Sequence, residues 1–216
     1  MSTLDLFTPP AHPSAICLQG QLFALPGFAV PWTESILTEL QHILERAPLR
    51  HFQTPGGLSL SAAQSNCGLA GWVSDARGYR YSKTDPLSHA PWPPLPAAWL
   101  QLARTAADLC GFALFNPDVC LINEYQDQAR MSLHQDKNER SFLAPIVSVS
   151  LGMSCVFLWG GKQRHDPVQR YVLHHGDVLV WGGADRLRFH GVRSPYGQAP
   201  QGMAGRRINL TFRQAL

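Results

Sequence analysis

Between two strand-like apolar runs lies SLHQDKNE, Ser132 to Glu139, which sets His134 and Asp136 two residues apart. In an extended chain alternate side chains share a face, so an imidazole and a carboxylate there aim at one point. Two histidines and a carboxylate with open positions form the usual protein site for a non-haem Fe(II) that activates oxygen. Such a site needs a second histidine from a distant strand, and His190 in RLRFHGV is the candidate. A competing His-x-Asp occurs at His175 and Asp177, in HHGDVLVW. There the middle residue is Gly, and Gly-Asp reads as the turn that opens the strand VLVWGG. The spacing alone does not choose between the two, and His134 taken singly also fits an ordinary surface histidine.

A second constellation lies in Arg207-Ile-Asn-Leu-Thr-Phe-Arg213. Its alternation puts Ile208, Leu210 and Phe212 on one face and Arg207, Asn209, Thr211 and Arg213 on the other. Two guanidinium groups on one side of a sheet repel unless anions lie between them, and burying even one unpaired charge costs several kcal/mol. Either this is a solvated polar face or it clamps an anion. In LINEY, Asn123 and Tyr125 also share a face and offer an amide and a phenol. Together the two strands would suit a small dicarboxylate, since a hydrogen bond to an ion contributes ~1.5–3 kcal/mol and a forked arginine adds geometry. An Fe(II) triad beside a dicarboxylate clamp implies 2-oxoglutarate.

The elements that must position these groups are short. Gln21–Leu25 reads as a strand. Thr33 to Ala47 carries Ile36, Leu37, Leu40, Ile43, Leu44 and Ala47 on one helical face, with Thr33 as N-cap. A second helix runs from Pro96 to Cys110, with Pro at its start and Gly111 past its end. From Val119 onward β-rich runs follow one another: VCLINEY, PIVSVSLG, CVFLWGG, RYVLHHGDVLVWGG and RINLTFRQ, separated by Gly, Pro and Asp. Many short strands without intervening helices indicate a double-sheet jelly roll, mainly β within an α+β chain, with the helices packed on one side. The Gly-, Ser- and Pro-rich stretch 54–94 is expected to form hairpins and loops over a site, outside the main sheet.

Bulk properties narrow the class. The 216 residues suit one domain, and no apolar run approaches the ~20 residues of a membrane helix. The beginning, MSTLDLFTPP, has no basic segment followed by an apolar one, so a cytoplasmic location is expected. Five scattered cysteines without a CxxC make a poor zinc site and a poor disulfide frame, and are read as free thiols. The formal charge is +3, with arginine far outnumbering lysine. Arginine is the better fork for phosphate and carboxylate, although a mild excess occurs in many proteins with no anionic partner.

At this point the residues resemble a known family. LINEY, SLHQDK, PIVSVSLG, HGDVLVWGG, RLRFHG and RINLTFRQA are similar, in order and spacing, to the AlkB family of Fe(II)/2-oxoglutarate-dependent dioxygenases. So is the upstream run TPGG…NCGLAGW…GYRYS…PWPPLP, so that the likeness covers roughly residues 52–215. It looks nearest to the bacterial alkylated-DNA repair branch. The resemblance implies a double-stranded β-helix core over 119–214, a nucleotide-recognition lid over 54–94 and an extension with a helix over 1–53. It implies His134, Asp136 and His190 as ligands of Fe(II), and Asn123, Tyr125, Arg207, Asn209 and Arg213 around 2-oxoglutarate. Arg207 would take the far carboxylate, with Arg213 nearer the metal end. O2 is the further co-substrate.

The same resemblance implies a base pocket at Trp72, Tyr79, Asn138 and Arg164. Physically, Trp72 and Tyr79 could stack on a flipped base, at ~1–3 kcal/mol per base, or merely pack the lid. Family members carry an acidic residue where this chain has Asn138, which implies a looser or shifted discrimination among bases. The implied reaction removes N-alkyl groups from bases such as 1-methyladenine and 3-methylcytosine in DNA, or RNA, with succinate, CO2 and formaldehyde as products. The target base must be unpaired or flipped. Arg77, Arg80, Lys137 and Arg164 are expected at phosphates, and a monomer is expected. Two other readings stand beside this one. A 2-oxoglutarate-dependent hydroxylase of a protein or small molecule would keep the triad and the arginine strand. A cupin-like module that only senses a metabolite would make no succinate.

Overall fold

The computed structural model describes residues 14–203 and 205–216. Its elements in chain order are β1 (Ile16–Gln19), β2 (Leu22–Leu25), α1 (Thr33–Arg46), β3 (Ala63–Gly68), β4 (Gly71–Asp75), β5 (Gly78–Ser82), α2 (Ala97–Leu109), β6 (Val119–Tyr125), β7 (Met131–His134), β8 (Ile146–Gly152), β9 (Cys155–Trp159), β10 (Gln169–Leu173), β11 (Val178–Trp181), β12 (His190–Val192) and β13 (Arg207–Arg213). A seven-stranded sheet has the order β1-β2-β11-β8-β13-β6-β3, and a four-stranded sheet the order β10-β9-β12-β7. Pairing throughout is antiparallel, and β4 and β5 form a separate hairpin. Two facing antiparallel sheets built this way are the jelly roll that the strand pattern predicts. None of the described helices is long and apolar enough to cross a membrane.

The seven-stranded sheet is sealed on one face by the helices. From α1, Ile36, Leu40 and Ile43 are buried; from α2, Trp99, Leu102, Ala103, Ala106 and Ala107. They meet Val147, Val149 and Leu151 of β8 and Ile208, Leu210 and Phe212 of β13 in one cluster. Trp99 packs edge-on to Phe212 at 6.3 Å between ring centroids. Each large aliphatic or Phe side chain among them contributes roughly 1.5–3 kcal/mol. Between the two sheets lies a smaller apolar cluster around Phe157, Trp159 and Trp181.

Two expectations change. The stretch 54–94 is not wholly outside the main sheet, because β3 pairs with β6 from Ala63↔Glu124 to Gly68↔Val119. Its pattern AQSNCG carries no apolar alternation, so nothing local announces a strand; the backbone pairing supplies it. Only β4–β5 stands off the sheet as a hairpin. Second, Thr33 is not the N-cap of α1. Trp32 holds that position with no side-chain cap, and the Thr33 hydroxyl instead lies 3.1 Å from His175 Nε2. The thiols are free, as read, with Cys17 exposed and the other four buried.

Candidate metal and co-substrate site

The four-stranded sheet brings the two candidate histidines together. In the pairing of β7 with β12, His190 stands opposite His134. Gly191 permits the approach: a Cβ there would lie 2.7 Å from the Met131 carbonyl oxygen. The imidazole centroids are 4.4 Å apart. Asp136, just past β7, sets its carboxylate 3.7 Å from His134 Nε2 and 3.5 Å from His190 Nε2. One ligand atom from each of the three lies within 4.8 Å of the others.

The protonation pattern suits a metal. His134 Nδ1 lies 2.9 Å from the Ser132 carbonyl and His190 Nδ1 3.0 Å from that of Arg188. A carbonyl only accepts, so each Nδ1 carries a proton and each Nε2 is turned toward Asp136, free to serve as the ligand atom. Burial, then the neighbouring His190, pushes His134 down to about 4, which keeps it neutral and able to ligate. Burial opposes ionisation of Asp136, but the Arg213 guanidinium and both imidazoles outweigh it and hold the carboxyl well below its usual range. Two imidazoles and a carboxylate are a donor set that fits Fe(II).

The second His-x-Asp is used structurally. Asp177 accepts from the backbone N–H of Gly27 at 2.9 Å and of His174 at 2.7 Å. Gly176 holds the left-handed turn at φ +84°. His175 accepts from Gly152 N–H at 3.1 Å and faces Thr33 with its other nitrogen.

Along β13, the register sets Arg207 opposite Tyr125 and Asn209 opposite Asn123. The polar face of this strand is not solvated: Arg207 is 1% exposed and Arg213 4%. Arg213 donates to Asp136 Oδ2 at 2.7 Å and lies 3.4 Å from Glu139. Arg207 differs. It donates once, to Ser150 Oγ at 3.1 Å, and stacks over the Tyr125 ring at 4.9 Å. Its Nε and Nη1 have no partner, and no carboxylate among the described residues pairs with it. A buried, unpaired guanidinium is unfavourable until an anion arrives. Arg213 Nη1 is likewise without a partner. Asn209 donates to Ser148 Oγ at 2.8 Å and lies 3.4 Å from the Asn123 amide, whose oxygen accepts from Gln64 at 2.7 Å. Tyr125 is pushed up to about 12 by burial and so remains a phenol.

These groups line one cavity of about 590 Å³ together with the triad, Trp72, Tyr79, Asn138 and Arg164. At its mouth Trp72 stacks on Tyr79, with centroids 5.6 Å apart and planes 16° from parallel. Trp72 Nε1 donates to Asn138 Oδ1 at 3.1 Å, and the Asn138 amide nitrogen lies 3.5 Å from the Tyr79 carbonyl. Arg164 lies over Phe189 at 5.1 Å. Arg80 and Arg77 are not free cations: Arg80 grips Asp75 through two bonds of 2.8 Å, and Arg77 shares that carboxylate. Among the described residues, the unpaired cations on the cavity rim are Lys137 and Arg164.

Five contributors were not foreseen. Ser148 and Ser150 alternate with Val147, Val149 and Leu151 in β8, and that alternation alone could have revealed them. Gln64 lies on β3, which no sequence signal marks. Glu139 and Arg186 stand among other charges, in DKNER and DRLR, and no motif singles them out.

A jelly roll with a His-Asp-His cluster beside a buried, anion-seeking arginine is the architecture of a non-haem iron oxygenase that uses a 2-oxo acid. The family model described as the 2OG-Fe(II) oxygenase superfamily matches residues 21–213, and the chain belongs to that superfamily, which uses Fe(II), 2-oxoglutarate and O2. It is 45% identical to the alpha-ketoglutarate-dependent dioxygenase AlkB of Salmonella typhimurium, covering 98% of each chain. It is 43% identical to the protein of the same name from Escherichia coli, again over 98% of each. The solved structure of OsALKBH1 superposes with a TM-score of 0.81 at 28% identity, over 93% of this chain and 99% of that one.

Proposed function

We propose that this chain is an oxidative dealkylase of N-alkylated nucleobases in nucleic acid. His134, Asp136 and His190 hold Fe(II) through Nε2, a carboxylate oxygen and Nε2. Arg207 takes the far carboxylate of 2-oxoglutarate, with Tyr125, Asn123 and Asn209 lining its path and Arg213 beside the metal. The observation that carries this reading is Arg207, buried with two donors unpartnered in the cavity that also contains the triad. When bound, Fe(II), 2-oxoglutarate and O2 supply oxidation of the N-alkyl carbon, with succinate and CO2 leaving and a methyl group departing as formaldehyde.

The protein's part is to place the base and exclude water. Trp72 and Tyr79 form an aromatic platform on which a flipped base stacks, and Lys137 and Arg164 meet its phosphates. Asn138 holds Trp72 in place and presents a neutral amide to the base edge. With no carboxylate there, cationic bases such as 1-methyladenine and 3-methylcytosine gain less over neutral ones. A relative from Arabidopsis thaliana named DNA N(6)-methyladenine demethylase ALKBH1C, 36% identical over 65% of this chain, also supports a nucleic-acid substrate. The protein acts as a monomer in the cytoplasm.

The test adds O2 to protein equilibrated anaerobically with Fe(II) and 2-oxoglutarate. Formaldehyde is then measured from DNA and RNA oligonucleotides, single- and double-stranded, that carry one defined lesion. Release from methylated oligonucleotides is expected, and Asn138→Asp should raise the cationic-to-neutral rate ratio several-fold. Succinate formed with peptides or small molecules, but no formaldehyde from any oligonucleotide, would favour the hydroxylase reading instead.

A further inference from the structure

The β4–β5 hairpin is joined to the loop carrying Asp136 by a part-buried polar contact as well as the exposed one through Asn138. Tyr81, on β5, donates its hydroxyl to Glu139 Oε1 at 2.9 Å. The Glu139 carboxyl is 2% exposed, and the same oxygen lies 3.4 Å from Arg213 Nε. Arg213 in turn donates to Asp136 Oδ2 at 2.7 Å. The other Glu139 oxygen faces Arg186 Nη2 at 3.3 Å, while Arg186 Nη1 donates to the Asp136 backbone carbonyl at 2.9 Å. Two carboxylates and two guanidiniums thus form a charge-balanced cluster that fixes both the side chain and the main chain of Asp136. Inside a protein such a network is strong when complete and unfavourable when one member is lost.

We infer that Tyr81 and Glu139 are positioning residues that couple the hairpin over the cavity to the filling of the iron and 2-oxoglutarate site. This rests on the assignment of metal and co-substrate made above. A cation at Asp136 competes with Arg213 for that carboxylate. Glu139 is then the remaining protein carboxylate that holds Arg213, and the Tyr81 hydroxyl orients it. Filling the site therefore tightens the hairpin, and by reciprocity the hairpin contact tightens the filled site.

Hydrogen exchange of residues 71–82 tests this in the full chain, with and without Mn(II) plus 2-oxoglutarate in the absence of oxygen. In the wild-type protein, loading should slow exchange of the hairpin roughly ten-fold, the scale of one hydrogen bond to a charged group. In Tyr81→Phe, which keeps the ring and removes the hydroxyl, the hairpin should not respond, while exchange in β8 and β13 stays at the wild-type level. The variant's affinity for 2-oxoglutarate should fall by a similar factor. Equal slowing in Tyr81→Phe, or a wild-type hairpin indifferent to loading, overturns the inference. The wild-type arm decides even if the variant folds poorly. Because no nucleic acid is present, failure of the dealkylase reading appears separately, in the formaldehyde assay.

Discussion

The two faces of β13 are equally buried and opposite in chemistry. Ile208, Leu210 and Phe212 point to the helices and pack in the main apolar cluster. Arg207, Asn209, Thr211 and Arg213 point between the sheets, and all are less than a tenth exposed. On the first face burial is favourable in itself. On the second it is unfavourable for every group that lacks a partner. The structure supplies partners for Asn209, Thr211 and Arg213 and leaves Arg207 short. Arg213 keeps a carboxylate partner although its Nη1 is free, whereas Arg207 has no carboxylate at all among the described residues, and that missing anion marks the place where a ligand belongs.

This contrast breaks if the two faces respond alike to mutation. Phe212→Ala should lower stability by about 3–5 kcal/mol in urea denaturation, because it leaves a cavity against Trp99. Well below its midpoint, the variant should keep the wild-type affinity for 2-oxoglutarate. Arg207→Met should do the reverse. Its dissociation constant for 2-oxoglutarate should rise by roughly 10- to 150-fold, the equivalent of one charge-assisted contact. Its melting temperature without co-substrate should be no lower than the wild type's, since a buried unpaired charge has been removed. Calorimetry and thermal melts read both quantities. An Arg207→Met protein that binds 2-oxoglutarate normally would end the argument from unsatisfied charge.

The smallest effect concerns protons at the triad. In the metal-free protein His134 is pushed down to about 4 from an ordinary 6.5. The unfolded chain therefore takes up the proton more readily than the folded one. The associated stability is fully present above 6.5 and is lost as pH falls from 6.5 toward about 4. The loss should be of the order of 2 kcal/mol, since the ring keeps some contact with solvent. Melts of chelator-treated protein across that range should show the decline, and Mn(II), which competes with the proton for Nε2, should shift it to lower pH. A flat profile without metal would mean that His134 is not held neutral by its surroundings.

Much of the frame was legible one segment at a time. The spacing of Ile36, Leu40 and Ile43 marked α1, and the alternation in RINLTFR named both faces of β13 before any partner was known. The spacing in SLHQDK put His134 and Asp136 in reach of each other. These features follow from local geometry, which fixes where side chains point within one element. Which face would be cut off from water was not local. It depended on β7, β9, β10 and β12 forming the opposing sheet, so a solvated strand and an anion clamp read alike until that sheet was in place. Nor could spacing separate His134-x-Asp136 from His175-x-Asp177. The register of β12 against β7 delivered His190 to the first, and two backbone N–H groups engaged the carboxylate of the second. Glu139, Arg186 and Gln64 carried no signal at all. Their roles come from desolvation and pairing across long stretches of chain, and only packing decides which charges share a buried space.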